Sequence, residues 1–163
     1  MCGIVGAATK RDVAGILIEG LQRLEYRGYD SAGLCVLSST NEIQRIRRAG
    51  KVAGLRAAND VAPAAGALGI AHTRWATHGK PNEINAHPHL DFSGQIAVVQ
   101  NGIIENYREL SKRLKLKGIK LNSETDTEII PHLISLEVDQ LLANGLSQNE
   151  QTLLVAVQKV LTV

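Results

Sequence analysis

Residues 1–6 read MCGIVG. Removing the initiator methionine would make Cys2 the first residue, placing a thiol and a free α-amino group on one residue. A cysteine thiol has a pKa of about 8.5, so only a few per cent is thiolate at neutral pH and a nucleophilic cysteine needs a base. The α-amino group of a first residue titrates at about 7.7–8.0 and lies within reach of the thiol, directly or through one water. One residue can therefore supply nucleophile and general base together. Cysteine on a short apolar run also serves as a small buried hydrophobe, so the reading turns on what else the chain carries.

Working outward, CGIVGAA is a short apolar run that predicts a buried strand. RDVAGILIEGLQRLE places Val13, Ile16, Leu17, Leu21 and Leu24 on one helical face, with Asp12 as its N-cap. YRGYDS breaks that helix at Gly28. AGLCVLS and EIQRIRRAG predict a strand pair joined by a polar turn, and residues 50–66 a short helix and loop. ALGIAHTRWA reads as a central strand, residues 77–94 as a long loop, and QIAVVQ as a strand stopped by the Asn101-Gly102 turn. ENYRELSKRLKLKG is helical, with Tyr107, Leu110 and Leu114 inward and Gly118 as C-cap; IKLN is a short strand. Two further helices follow, with capping boxes expected at Thr125/Glu128 and Ser147/Glu150; Pro131 argues for a kink or a later start in the first. About six short strands with no regular βαβ alternation favour an α+β layered domain.

The bulk numbers limit the function. A chain of 163 residues suffices for one domain with a core. No apolar run approaches the ~18 residues of a membrane helix, and nothing apolar precedes Cys2 as a secretory or lipoprotein signal would require. A net charge of +2 and 3% aromatic residues give no basis for binding nucleic acid or an acidic membrane. Cys2 and Cys35 make no disulfide framework, so a reducing, cytoplasmic setting is expected, with Cys35 an inert core thiol.

The companions of Cys2 lie in three stretches. A nucleophile attacking a carbonyl needs an oxyanion stabiliser, and the Asn101-Gly102 turn offers a side-chain amide and a backbone N–H. Arg74, at a strand end, can grip a carboxylate with two parallel bonds, and an exposed Asp126 in SETDTE can take an ammonium. Together they suit a free amino acid. His78, His87 and His89 sit close in sequence, but Pro88 separates the last two and neither cysteine supports a structural site, so no metal is expected. Phosphate-binding glycine motifs are absent.

MCGIVGA, LEYRGYDSAGL, IAHTRWATHGKP, NAHPH, NGIIENY and SETDTE occur in this order. Together they closely resemble the glutaminase domain of the isomerising glutamine–fructose-6-phosphate aminotransferases, the glucosamine-6-phosphate synthases. These are class II glutamine amidotransferases among the N-terminal-nucleophile hydrolases. CGIVG alone would also fit amidophosphoribosyltransferase or asparagine synthetase; EYRGYDSAG and THGKPNEINAHPH favour the hexosamine enzymes. The resemblance runs from Met1 to about Leu142 and implies a four-layer αββα sandwich.

By resemblance, Cys2 attacks the side-chain amide of L-glutamine to give a γ-glutamyl thioester and ammonia, with Asn101 and Gly102 holding the oxyanion. Arg74 and Asp126 bind the carboxylate and ammonium of glutamine. Trp75, Thr77 and His78 lie in a closing loop, Arg27 supports the nucleophile strand, and His87 orders the loop. No cofactor is implied. The ammonia passes to a sugar isomerase domain. Two departures stand out. Gln100 occupies the position before Asn101-Gly102 where the family has histidine. The family's glutaminase domain also continues beyond position 163, so residues 1–163 are expected to be the N-terminal part of an amidotransferase domain, C-terminally truncated, without the isomerase domain and prone to self-association. Two other readings keep the fold: a catalytically weak glutamine-binding module, or an amidotransferase domain serving phosphoribosyl pyrophosphate or aspartate.

Overall fold

The computed structural model describes residues 2–76 and 79–163. Four strands form the main sheet: β1 (Gly3–Ala8), β2 (Ser31–Leu37), β3 (Ile43–Ala49) and β4 (Leu68–Arg74). Their order is β1-β4-β2-β3, with every pair antiparallel. ALGIAHTRWA thus supplies a central strand, as its pattern predicts. CGIVGAA forms the expected strand but not a buried one: β1 stands at one end of the order and is half-buried, with Ile4 44% exposed while Val5 and Ala7 pack on the core.

Helices α1 (Ala14–Arg23) and α2 (Val52–Val61) cover one face of this sheet. Leu17, Ile18 and Leu21 of α1 are buried with Val13 against Leu34, Val36 and Ala71. Each such side chain contributes about 1.5–3 kcal/mol. Ile18 takes the buried position assigned from sequence to Ile16, and the helix is entered through Val13, with no side-chain cap from Asp12. Gly69 explains how closely α1 approaches β4: a Cβ there would lie 2.8 Å from Leu17 Cδ1.

The opposite face is covered by the segment around His87. Strand alternation turns Gly33 of β2 and its partner His72 of β4 toward it. A Cβ on Gly33 would lie 2.2 Å from the His87 carbonyl oxygen, so only glycine permits this approach. Beyond lies a thin second sheet, β5 (His89–Leu90) paired with β6 (Ala97–Val98). QIAVVQ therefore pairs over two residues only. Asp91 takes up the backbone around the intervening turn, accepting N–H bonds from Ser93, Gln95 and Ile96.

The fourth layer holds α3 (Tyr107–Leu116), α4 (Ile129–Ala143) and α5 (Glu150–Val160), with α4 packed on β5 and β6. Gly118, just past α3, has φ 80°, as a helix-terminating glycine should. Pro131 falls in the first turn of α4, where its missing N–H costs nothing, so the helix starts late and does not kink. Neither capping box forms. The α5 cap is Asn149, whose Oδ1 accepts the Thr152 N–H at 3.0 Å. Glu128 reaches past Thr125 to accept N–H bonds from Asn122 (2.8 Å) and Ser123 (2.6 Å). IKLN forms no strand; Ile119 and Leu121 pack on α3 and α4 instead. Helices, main sheet, thin sheet and helices make four layers, the αββα order that the resemblance implies.

Candidate functional site

The antiparallel register brings the start of β1 beside the end of β4: Gly3 pairs with Thr73 and donates its N–H to Thr73 Oγ1 at 3.0 Å. Cys2, His72 and Arg74 then emerge on the sheet face away from α1. Cys2 is half-buried, and its Sγ accepts the Trp75 N–H at 3.2 Å. Asp30 clamps the same stretch from β2's leading end. Its N–H donates to Arg74 O at 2.8 Å, and its carboxylate accepts the Ala76 N–H. The Trp75 donor is thereby held against the sulfur.

A cavity of about 360 Å³ opens at this point. Cys2, Arg27, Arg74, Trp75, His87, Asn101, Gly102 and Asp126 all line it, together with Gln100, Ile103, Thr125 and Thr127. Eight of the ten residues singled out by sequence thus converge on one space. The other two, Thr77 and His78, lie outside the described residues. The volume falls in the range of small-molecule sites.

Arg74, on β4, is 4% exposed and places a buried cation at the cavity wall. Asp126 was expected to be exposed, but it is buried. It starts a 3₁₀ turn (Asp126–Glu128) leading into α4, and its Oδ2 accepts the Ile104 N–H at 2.9 Å. That bond links the Asp126 turn to the loop carrying Asn101 and Gly102. Glu128 holds the turn from behind. Burial alone would raise its carboxyl, but the His132 ring 3.8 Å away, the Ser123 hydroxyl and the Asn122 and Ser123 N–H groups outweigh it and bring the pKa down to about 2.

Asn101 bridges β4 and the residue that precedes β1. Its Oδ1 lies 2.8 Å from His72 Nε2, and its Nδ2 donates to Cys2 O at 3.3 Å. Gln100 accepts the Thr127 hydroxyl at 2.9 Å through Oε1, and its Nε2 lies where a Cβ on Gly102 would come within 2.8 Å. Arg27 follows the last turn of α1 and stands over the Tyr26 ring, 5.5 Å from its centroid. Gly28, at φ 73°, lets the Trp75 indole lie against its backbone.

The histidine rings pack in a row, His72 tilted against His87 and His87 edge-on to His89. The His72 and His87 ring centroids are 4.3 Å apart and those of His87 and His89 4.7 Å, with His89 Nε2 2.8 Å from Thr125 Oγ1. Burial pushes His72 down to about 4 and His89 to about 3, and it lowers His87 further with help from its charged-when-protonated neighbours. All three are neutral near pH 7. Among the described residues no group of three or more His, Cys, Asp or Glu side chains could hold a metal. Cys35, 3% exposed in β2, has its thiol pushed up to about 12 by burial. Sequence reasoning missed His72. Its one available signal was a polar residue two positions before Arg74, on the same strand face.

The chain can do three things at one place: present a sulfur held by an N–H donor, offer a carboxamide beside it, and set a guanidinium and a carboxylate on the surrounding wall. A family model described as a glutamine amidotransferase domain matches residues 72–147. The chain is 55% identical over 159 residues to the glutamine–fructose-6-phosphate aminotransferase (isomerizing) of Vibrio parahaemolyticus, covering 98% of this chain and 24% of that protein. The protein of the same name from Escherichia coli is 59% identical over 140 residues, 86% of this chain and 23% of its own length. The chain therefore spans about a quarter of the length of the curated relatives it matches. A solved glutamine phosphoribosylpyrophosphate amidotransferase from B. subtilis superposes with a TM-score of 0.75, over 99% of this chain and 32% of that one. At 22% identity this likeness shows the fold.

Proposed function

We propose that this chain, of which residues 72–147 match a glutamine amidotransferase domain model, hydrolyses the side-chain amide of L-glutamine, with Cys2 as nucleophile. The observation that carries this is the convergence of Cys2, Asn101, Gly102, Arg74 and Asp126 on one cavity. Arg74 takes the α-carboxylate of glutamine through paired N–H bonds. Asp126 takes the α-ammonium with its Oδ1, since Oδ2 is engaged by Ile104. These contacts aim the side-chain amide at the sulfur.

With Met1 removed, the α-amino group of Cys2 accepts the thiol proton and the sulfur attacks the amide carbon. The Trp75 N–H stabilises the thiolate. Charge develops on the amide oxygen, where the Asn101 Nδ2–H not directed at Cys2 O and the Gly102 N–H receive it. Collapse breaks the C–N bond, and the proton held by the α-amine leaves with ammonia. Water then attacks the γ-glutamyl thioester, giving glutamate and restoring the thiol. Arg27 and His87 support the walls, while Trp75 at the cavity keeps water from the thioester.

Residues 1–163 represent the glutaminase portion, and the ammonia serves synthesis of glucosamine 6-phosphate from fructose 6-phosphate in a sugar isomerase domain. Identity of 55–59% to aminotransferases of that name supports this acceptor over phosphoribosyl pyrophosphate or aspartate. We place the reaction in the cytoplasm, consistent with two free cysteines. Among the described residues no helix is long and apolar enough to cross a membrane.

A diazo-ketone analogue of glutamine tests the assignment. Intact mass should show Met1 gone and one adduct, mapped to Cys2 and absent from Cys35. Cys2→Ala should take no adduct and release no ammonia, yet still bind glutamine. Glutamine turnover by Cys2→Ala at the wild-type rate would refute the nucleophile.

A further inference from the structure

We propose that His72 is a positioning residue for glutamine hydrolysis: it fixes the Asn101 carboxamide so that the NH₂ group faces Cys2. The inference rests on the glutaminase reading of the cavity.

His72 sits in the central strand β4, 1% exposed, with its ring packed at a tilt against His87. Asn101 is exposed on a turn, so nothing in its own backbone decides which way its amide points. The χ2 torsion of asparagine is broad and roughly two-fold, and the two flipped states differ only in what the oxygen and nitrogen meet. Here the partners decide. One amide atom faces the Cys2 carbonyl oxygen at 3.3 Å, which only accepts, so that atom must be the nitrogen. The other faces His72 Nε2 at 2.8 Å and is therefore the oxygen. His72 must then donate, with its proton on Nε2.

Burial keeps the imidazole neutral, so it has a single N–H, and Asn101 determines where that proton lies. A neutral donor suits the task. It orients the amide without placing a positive charge beside the sulfur or competing with Arg74 for an anionic ligand. The packed row of rings makes the ring itself hard to rotate: His87 lies against it, and His89 beyond is tied to Thr125. Orientation therefore passes from the packed layer between the sheets to an exposed amide at the mouth of the cavity. Without the donor, only the 3.3 Å bond to Cys2 O holds the amide, and each flip would turn its oxygen toward both the Cys2 carbonyl and the developing oxyanion.

Two variants test this in the full chain. His72→Leu removes the donor. His72→Gln places an N–H close to the position of the imidazole Nε2. His72→Leu should lower kcat for glutamine by about tenfold to a hundredfold with KM changed less than about twofold, and His72→Gln should recover most of the loss. In an Asn101→Ala background, His72→Leu should cost nothing further. The side-chain amide resonances of Asn101, read by ¹⁵N-correlation NMR, should move in His72→Leu and stay near wild type in His72→Gln. A Gln variant that folds yet is as slow as Leu, a change confined to KM, or full additivity with Asn101→Ala overturns the proposal. Should the wild-type chain turn over no glutamine, the glutaminase reading fails. The positioning then stands or falls on the NMR alone, and unmoved Asn101 amide resonances in His72→Leu refute it.

Discussion

Glu128→Gln should cost the protein about 3 kcal/mol at neutral pH and flatten its acid response. The Glu128 carboxylate is almost wholly buried and accepts the Asn122 N–H, the Ser123 N–H and the Ser123 hydroxyl, with His132 Nε2 3.8 Å away. Its pKa falls from an ordinary 4.5 to about 2. That depression is worth about 3 kcal/mol of folding stability, at 1.36 kcal/mol per pH unit. Because the folded value is the lower one, this stability is fully present above the unfolded pKa of 4.5 and is lost as pH falls toward about 2. Glutamine in its place can still accept some of these bonds, but its NH₂ must turn toward N–H donors. The assay is urea unfolding followed by circular dichroism at several pH values from about 7 to about 2.5. Wild type should start about 3 kcal/mol above the variant and converge on it as pH drops. Asp91 also has a lowered carboxyl, but it is common to both proteins and cancels in the difference. Curves that run parallel down to pH 2.5 would refute the reasoning. The same titration bears on the site, since the turn Glu128 holds carries Thr125 and Asp126 into the cavity.

Asn101→Ala should lower kcat by about a hundredfold or more in steady-state glutaminase assays, as loss of an oxyanion donor does; a change in KM alone would mark Asn101 as a binding residue. Gly33→Ala should destabilise by about 1–3 kcal/mol, because its Cβ would lie 2.2 Å from the His87 carbonyl and 3.0 Å from Ile46 O, backbone atoms that cannot step aside cheaply. For a chain of this size that is a fall in Tm of about 2–4 °C per kcal/mol, accompanied by slower labelling of Cys2 as His87 is displaced. An unchanged Tm and labelling rate would contradict so close an approach.

The strands and helices of the main layer were legible because periodicity and burial agree there. The α1 stripe packs on Leu34 and Val36, and Arg74 sits at the end of its strand as expected. What could not be read was decided between distant segments. IKLN has strand composition, but its apolar residues found a better surface on α3 and α4 than any free strand edge. Glu128 matches a capping box by spacing, yet the backbone N–H groups of Asn122 and Ser123 lie within its reach and take it. Asp126 looked exposed because turns are; the Ile104 N–H draws it inward. Cys2, Asn101, Gly102, Arg74 and Asp126 were found by their chemistry, and Arg27, Trp75 and His87 through the resemblance. The residue that orients Asn101 was hidden, because a histidine on an alternating strand gives no sign of which loop will cross it.

β1 is the outermost member of its ladder, and β4, β2 and β3 remain joined to one another without it. Cys2 thus rides on a rib that can peel away while the remainder of the layer keeps its pairing. Inactivation and denaturation need not coincide in such a molecule: a brief fraying at a single margin would silence the sulfur and leave the spectroscopic signature of the domain nearly untouched.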